Sequence, residues 1–244
     1  MSKISVTSLR PRSLLRRTGL PVKAFLMLVA RVAALLPAPG RGRPWSLLLD
    51  NRVLPAAAWR TKLTHRQLAD LSGIGVATVH RVIDRIAPLV AQLLEPPDNH
   101  RSDLWAVDGT LIPVEEYKQS ARSKNHRRSV NVQLVFRVRD RRVVAVGNAW
   151  PGNRNDIVVF RATMAGRVAG HRLTIGDDAY RSAPEVVTSR NKNKAFAKRR
   201  GRAEHGLARL KDYRVLRRHR RRGDTINDTI RAVAVLHNLK IDYA

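Results

Sequence analysis

Three carboxylates lie in sequence contexts that are typical of a divalent-metal site. Asp108 follows a strand-like run in Ala-Val-Asp-Gly-Thr, and Asp177 follows another in Thr-Ile-Gly-Asp-Asp-Ala-Tyr. Glu204 lies in a segment with helical spacing. Mg²⁺ prefers carboxylate oxygens and retains several waters, so a few protein ligands suffice. Two such ions about 3.5–4 Å apart stabilise the entering and leaving oxygens of a phosphodiester. We therefore predict a metal site for phosphodiester chemistry.

Each aspartate also has a plainer interpretation. Asp-Gly and Asp-Asp are common turn pairs, and an aspartate after a strand is often only a turn former. Asp103, Asp156 and Asp178 are competing carboxylates that the composition does not dismiss. The assignment of Asp108 and Asp177 therefore depends on the surrounding pattern.

Glu204 has the more informative surroundings. Between residues 190 and 222 the chain carries 15 Lys and Arg but only Glu204 and Asp212 as acidic residues. Arg200, four positions earlier, and Lys211, seven positions later, share its helical face. That face could hold a metal through Glu204 while both cations contact phosphates. The alternative is an ordinary ion pair worth a few tenths of a kcal/mol.

The overall charge indicates a polyanionic partner. The 244 residues include 47 Lys and Arg against 19 Asp and Glu, a formal net charge of +28. Nucleic acid is the commonest partner for such a balance, because cations set against phosphates release counterions. A ribosomal-type RNA binder or an Arg-rich chain from a high-GC genome would show the same balance. A basic run near the C-terminus is predicted to contact phosphates without reading sequence; it comprises Arg217, Arg218, Arg220, Arg221 and Arg222.

The composition also excludes several kinds of site. The absence of cysteine excludes disulfides, thiolate zinc sites and cysteine nucleophiles. The 43% of hydrophobic residues can supply a normal core. The segment Leu20–Leu36 has the spacing of an amphipathic helix, which we favour over a signal peptide, and its apolar run is too short to span a membrane.

Residues 62–86 have the pattern of a helix-turn-helix, within a helical region that we predict over residues 1–98. Thr64 and Gln67 are spaced for a capping box, and Gly73 and Gly75 suit a tight turn. The second helix, Val76–Ile86, would offer a few polar side chains to a DNA major groove. These side chains are Thr78, His80 and Arg81. The alternative is a helical hairpin with a solvated polar face.

The breaker Glu95–His100 marks a boundary, after which residues 99–244 predict an α/β domain with a mixed sheet and flanking helices. The predicted strands are Trp105–Val107, Ser129–Phe136, Arg142–Ala149 and Arg172–Ile175, and the predicted helices are Asp156–Met164 and Asp224–Lys240. The second and third strands form a hairpin. His237 falls on the apolar stripe of the last helix, where packing is favoured over metal binding.

These motifs, taken in order, resemble a known family. The chain is similar to DDE transposases of the bacterial insertion-sequence type that are related to eukaryotic Harbinger elements. The resemblance covers nearly the whole chain and rests on ordered landmarks. They are Arg41-Gly-Arg-Pro44, Leu63-Thr-His-Arg-Gln-Leu-Ala69, Asp108-Gly-Thr110, Pro151-Gly-Asn-Arg-Asn-Asp156, Gly176-Asp-Asp-Ala-Tyr180, Glu204–Lys211 and Leu236-His-Asn238.

The resemblance implies a ribonuclease H-like fold in which Asp108, Asp177 and Glu204 are the catalytic, metal-binding triad. It also implies two Mg²⁺ ions per active site, with Mn²⁺ as a substitute. Arg200 and Lys211 match the family's Tyr-x2-Arg-x3-Glu-x6-Lys signature, whereas its tyrosine position is Ala197 here.

The activity implied is cleavage and strand transfer of double-stranded DNA at terminal inverted repeats and a target. In this family a metal-activated water attacks the element end, and the freed 3′-hydroxyl then attacks the target. Joining two ends implies a homodimer or larger synaptic complex, in the cytoplasm at the nucleoid and away from membranes. The alternatives are an inactive or domesticated DNA-binding protein, and a ribonuclease H-like nuclease that does not transpose.

Overall fold

The chain forms two compact units in a computed structural model. The structure describes residues 10–38, 45–61, 63–96, 103–115, 118–123, 127–171, 173–189, 193–221 and 224–244. The first unit comprises residues 1–94, 213–215 and 231–244, and the second comprises 95–212 and 216–230. The division into functional domains at 1–98 and 99–244 stays a prediction.

The first unit is helical in its described part. Its N-terminal helices are α1 (Pro11–Thr18), α2 (Val22–Ala34), α3 (Leu49–Ala57), α4 (His65–Ser72) and α5 (Val76–Gln92). α2 buries Phe25, Leu28 and Val32 along one face, which confirms the amphipathic helix. Among the described residues, no helix has both the length and the apolar character needed to cross a bilayer.

Helices α4 and α5 are joined by a short glycine turn. The capping box is present, since the Thr64 hydroxyl accepts from the Gln67 amide at 3.2 Å and the Gln67 side chain accepts from the Thr64 amide at 2.9 Å. α4 ends at Gly73, whose φ of 60° is the left-handed conformation that glycine adopts without strain. The two helices and the glycine turn lie at the predicted positions, although α5 runs six residues beyond Ile86, and their identity as a DNA-binding helix-turn-helix stays a prediction.

The second unit is built on a six-stranded mixed sheet. The strands are β1 (Trp105–Pro113), β2 (Ala121–Arg122), β3 (Arg128–Arg137), β4 (Val143–Val146), β5 (Trp150–Pro151) and β6 (Thr174–Ile175). The order is β2-β3-β1-β6, and β4 and β5 also pair with β3. β1 is antiparallel to β3 and parallel to β6. The predicted β3–β4 hairpin is confirmed, but β4 covers only four residues of the predicted Arg142–Ala149.

The remaining helices are α6 (Asp156–Thr163), α7 (Ala165–Val168), α8 (Lys194–Leu210) and α9 (Ile226–Asp242), and the residues of α9 are divided between the two units. α6 packs on β3, and α8 packs on β1 and β3. A mixed sheet with flanking helices is the predicted α/β class and is compatible with a ribonuclease H-like fold.

The two faces of the sheet can be separated by strand register. Directly opposed residues of an antiparallel pair share a face, and successive residues alternate. Val107 and Val135 oppose each other and join the core cluster that includes Phe160 of α6. On the other face Phe136 meets Gly206 of α8, where an added Cβ would lie 2.6 Å from the ring. We call the face that carries Val107 and Val135 the α6 face, and the face that carries Phe136 the α8 face.

Candidate active site

Asp108 and Asp177 are brought together by the parallel pairing of β1 and β6. Ala106 pairs with Ile175, so continuing the register by two residues sets Asp177 beside Asp108. Asp108 opposes Leu134 of β3, which places it on the α8 face. Asp177 lies just beyond β6 with extended backbone angles, φ −82° and ψ −176°, so the strand direction continues to it.

The position of Asp108 within its strand corrects the sequence analysis. The predicted strand ended at Val107 with a turn after Asp108, but β1 continues to Pro113 and places Asp108 in its interior. The reason is that Gly109 continues the ladder with β3, opposite Gln133, and does not form a turn. Asp177 does precede a turn, because its Oδ1 accepts from the Ala179 amide at 3.0 Å.

Asp108 lies in a partly buried cluster of carboxylates. Burial, then the charge of Asp177, and further the charge of Glu204, raise the pKa of Asp108 to about 6. The Gly109 amide, through a backbone hydrogen bond, and the Arg200 guanidinium act in the opposite direction without cancelling this rise. Asp177 and Glu204 are therefore close enough to act on Asp108.

Helix α8 carries Glu204 and its flanking cations toward β1. Arg200 Nη1 lies 2.6 Å from Glu204 Oε1, one helical turn away. Lys211 follows the last residue of α8. Its pKa is lowered by burial, whereas the charge of Asp108 acts to raise it. The shared face predicted for Arg200, Glu204 and Lys211 thus lies near Asp108.

The carboxylates of Asp108, Asp177 and Glu204 are ligands of the type that a hard divalent cation prefers, although the three side chains do not converge on a single position. Among the residues that the structure describes, no three His, Asp or Glu side chains are close enough to hold a metal ion as they stand. Glu204 is instead paired with Arg200. The raised pKa of Asp108 nevertheless marks a cluster of carboxylates that a cation would stabilise. Carboxylates are the ligand type that a divalent metal prefers, but Glu204 would have to leave Arg200 to join Asp108 and Asp177.

The three competing carboxylates have other partners. Asp103 pairs with Arg137 at 3.5 Å and with Arg139 at 3.4 Å. Asp178 is exposed and pairs with Arg181 at 3.1 Å. The third, Asp156, accepts hydrogen bonds from side chains of β3. The charges that act on Asp108 come from Asp177, Glu204 and Arg200, not from these three.

The basic run after α8 is held against the end of β1. His219 forms a parallel bridge with Val114, and its amide donates to the Pro113 carbonyl at 2.8 Å. His219 is buried, and burial together with the Arg221 charge lowers its pKa to about 4. Arg218 and Arg220 turn toward Glu115, at 2.5 and 3.7 Å.

Two further arginines of this run are also hydrogen-bonded. Arg217 donates to the Lys211 carbonyl at 2.7 Å, and Arg221 donates to the Thr229 hydroxyl at 3.1 Å. Arg222 lies outside the described residues, as do Arg41–Pro44. The predicted phosphate contacts thus form an ordered segment with intramolecular partners.

The three side chains predicted to read DNA lie at the start of α5. Arg81 donates to the Thr78 hydroxyl at 3.3 Å. His80 Nε2 lies 2.8 Å from Nδ1 of His65, the first residue of α4. His80 and Arg81 are exposed and Thr78 is half-buried. This surface is available for binding, and its role in reading DNA stays a prediction.

The sequence analysis missed a set of polar residues on the α6 face of the sheet. Asn131 and Gln133 of β3 and Tyr180, which follows Asp177, are buried and hydrogen-bonded around Asp156. Their signal was available, because Asn131 and Gln133 interrupt a run of valines with the two-residue period of a strand.

Comparison with known proteins identifies the family of the chain. Residues 107–238 match the family model described as DDE superfamily endonuclease, which spans both aspartates and Glu204. The chain belongs to the DDE transposases of bacterial insertion sequences. It is 38% identical over 216 residues to a Streptomyces albus G protein named "Putative transposase for insertion sequence element IS112", covering 82% of this chain and 84% of that protein. No solved structure matches the chain.

Proposed function

We propose that this chain is an active transposase that cleaves double-stranded DNA at the ends of its element and joins them to a target. The observation that carries the proposal is the parallel register of β1 and β6, which sets Asp177 beside Asp108, with Glu204 of α8 near enough to raise the pKa of Asp108. Family membership supports the reaction class.

In this proposal Asp108, Asp177 and Glu204 hold divalent metal, Mg²⁺ in two ions or Mn²⁺ in its place. When bound, the metal would stabilise charge on the entering and leaving oxygens of the phosphodiester. Asp108 and Asp177 supply carboxylate oxygens from neighbouring strands. Glu204 joins them from α8 after leaving Arg200, which is then free to contact a phosphate together with Lys211.

The first unit supplies DNA binding in this proposal. Helix α5 would enter a major groove at the terminal inverted repeats through Thr78, His80 and Arg81. The net charge of +28 supports a large sequence-independent contribution to affinity. The arginines at 217–221 would exchange their partners, which include Glu115, the Lys211 carbonyl and the Thr229 hydroxyl, for phosphates. Since two ends must be joined, we propose that a homodimer or larger synaptic complex acts.

The experiment is a strand-transfer assay with an oligonucleotide duplex that carries the native element ends. Wild type with Mg²⁺ or Mn²⁺ should give both cleaved and joined products, and EDTA should abolish them. Asp108→Asn should bind the same duplex with unchanged affinity but give neither product. Equal product from wild type and Asp108→Asn would exclude the proposed site.

Two other functions are outcomes of the same assay. Ala197 occupies the tyrosine position of the family signature and is exposed on α8, which is the observation that favours a non-catalytic DNA-binding descendant. Binding to the element ends without any product, in wild type and in Ala197→Tyr, would support that function. Cleavage with no joined product would support a nuclease that does not transpose.

A further inference from the structure

A continuous hydrogen-bonded chain of polar side chains crosses the α6 face of the sheet. The Asp156 Oδ1 accepts from Asn131 Nδ2 and from Gln133 Nε2, each at 2.9 Å. Gln133 Nε2 also donates to Asn131 Oδ1 at 3.1 Å, and the Tyr180 hydroxyl donates to Gln133 Oε1. Asn131 Nδ2 further donates to the Arg154 carbonyl at 3.1 Å. Each amide group in the chain thus has a partner.

These residues lie where the sheet would otherwise be apolar. Gln133 is 0% exposed, Tyr180 1% and Asn131 3%. Burying groups of this kind without partners is costly, so they are retained only when they are mutually satisfied. The orientation of Gln133 is also determined, because Asp156 can only accept when ionised and the tyrosine must then donate to the oxygen. The network is consequently directional from Tyr180 to Asp156.

At one end of the network, Asp156 lies against the backbone of Gly109, the residue after Asp108. A Cβ added at Gly109 would lie 2.2 Å from Asp156 Oδ1 and 2.7 Å from Gln133 Nε2. Since real side chains do not approach so closely, the absence of a side chain at Gly109 is what lets Asp156 reach the strand. The carboxylate of Asp156 therefore packs directly against β1 beside Asp108.

The other end presses on the backbone next to Asp177. A Cβ added at Gly176 would lie 2.9 Å from Cδ2 of the Tyr180 ring and 2.8 Å from Val186. Tyr180 closes the short turn after Asp177, where its amide donates to the Asp177 carbonyl at 3.1 Å. Its ring meets Phe160 of α6 edge-on, with centroids 5.4 Å apart. The ring thus fixes the turn that carries Asp177.

We propose that Asp156, Gln133 and Tyr180 are positioning residues that set the separation of Asp108 and Asp177. The network touches the glycine after Asp108 and the glycine before Asp177 and connects the two through a chain of side chains. It works from the α6 face, whereas Asp108 presents its carboxylate on the α8 face. The inference rests on the proposed function for the catalytic role of the two aspartates. The mechanical linkage does not depend on that role.

The linkage is tested by hydrogen exchange of the full-length protein without metal or DNA. Asp156→Ala removes the end of the network that lies beside Gly109. It should speed exchange at the distant amides of residues 176–180 by about tenfold, which is the scale of one lost buried hydrogen bond. Tyr180→Phe should do the same at residues 108–110. Thr163→Val is the matched control, because it removes a 2.8 Å hydrogen bond within α6 and leaves the network intact. Unchanged exchange at the distant site in both variants would overturn the proposal.

Activity provides the second readout. Asp156→Ala and Tyr180→Phe should each lower the single-turnover cleavage rate at saturating DNA by about tenfold, with the Kd for DNA unchanged, and the double variant should lose no more than either one. Asp156→Asn keeps the Oδ1 acceptor and should restore most of the rate. If Asp156→Asn is as defective as Asp156→Ala, the charge itself acts and the positioning role is wrong.

The two proposals fail in different ways. A wild-type protein that does not cleave, but in which Asp156→Ala speeds exchange at residues 176–180, would contradict the proposed function and leave the linkage standing. An active wild type whose network variants behave like Thr163→Val would overturn the linkage alone.

Discussion

The two faces of the central sheet differ in how they treat polar groups. On the α6 face Gln133 and Asn131 are buried and fully hydrogen-bonded. On the α8 face Asp108 is half-buried, and burial together with the charges of Asp177 and Glu204 raises its pKa to about 6. The first arrangement satisfies its polar groups internally, whereas the second is one that a bound cation would stabilise. The same strands thus carry a satisfied hydrogen-bond network on the α6 face and an electrostatically unfavourable carboxylate on the α8 face.

The difference teaches how one strand can serve both stability and activity. Residues 107 to 110 of β1 alternate between the two faces, so the backbone that presents Asp108 is the same backbone that Asp156 contacts at Gly109. Sites that store unfavourable charge need a rigid surrounding, because otherwise the carboxylates would move apart and relax. Changes on the α8 face should therefore affect activity first, and changes on the α6 face should affect stability first.

The largest effect is expected at Asp177. Asp177→Asn should lower the cleavage rate by on the order of 10³-fold, equivalent to about 4 kcal/mol of transition-state stabilisation. The adjacent Asp178→Asn is the matched control, because its carboxylate is exposed and pairs with Arg181. Single-turnover cleavage of the element-end duplex measures both. A larger loss in Asp178→Asn than in Asp177→Asn would reverse the assignment of the second carboxylate.

The pH dependence of stability tests the strain at Asp108 directly. A carboxyl pKa raised from 3.8 to about 6 favours the protonated native state, so metal-free wild type should lose stability as pH rises from about 4 to 6. The loss is on the order of 3 kcal/mol and is complete above pH 6. Asp108→Asn should lack this loss and be the more stable protein at pH 7, but not at pH 4.

Urea unfolding in EDTA across this pH range measures the difference. Mg²⁺ should then stabilise wild type at pH 7 and leave Asp108→Asn unchanged, since a bound cation favours the ionised carboxylates. Parallel stability curves for the two proteins in EDTA would mean that Asp108 is not under the electrostatic strain that the structure indicates.

Sequence patterns predicted the secondary structure better than the packing between strands. The capping box at Thr64 and the helix at Asp156 depend on neighbouring residues and were confirmed. Asp108 was placed at a strand end, because Asp-Gly is typical of a turn. Only the register with β3 shows that Gly109 continues the strand and makes room for Asp156. Local propensity does not contain that contact, which spans 47 positions in the sequence.

For the candidate site too, contacts within one helix were predicted from sequence and contacts between elements were not. Glu204 and Arg200 were placed on one helical face by spacing alone, and the structure pairs them at 2.6 Å. Gln133 was missed because a polar residue in a strand is usually solvent-facing, and its burial depends on partners from two other elements. The alternation of Asn131 and Gln133 with valines is the feature that would have indicated a buried polar row.

An intermediate effect is expected from replacing a glycine by alanine in β1 and, as a comparison, in α8. Gly109→Ala should destabilise the protein by about 1–3 kcal/mol, because its Cβ would overlap Asp156. Gly201→Ala in α8 meets nothing within 4 Å and should stabilise the protein by about 0.5–1 kcal/mol, as alanine is the better helix former. Urea unfolding at pH 7 gives both values. A Gly109→Ala protein as stable as wild type would show that Asp156 does not pack against β1.

The smallest effect on stability is expected at Arg200. Its ion pair with Glu204 has side-chain exposures of 30% and 52%, so Arg200→Gln should change the free energy of unfolding by only a few tenths of a kcal/mol. If Arg200 instead serves a DNA phosphate, the variant should weaken binding of all duplexes alike and reduce the slope of log K against log salt by about 1. Arg181→Gln breaks a comparable exposed pair with Asp178 and should leave that slope unchanged.

Because Arg200 also lowers the pKa of Asp108, its removal should move the acidic limb of the cleavage pH profile upward. If Arg200→Gln shifts the acidic limb but leaves the salt slope unchanged, Arg200 acts on the carboxylates and not on a phosphate. The predicted phosphate contact would then be made by Lys211.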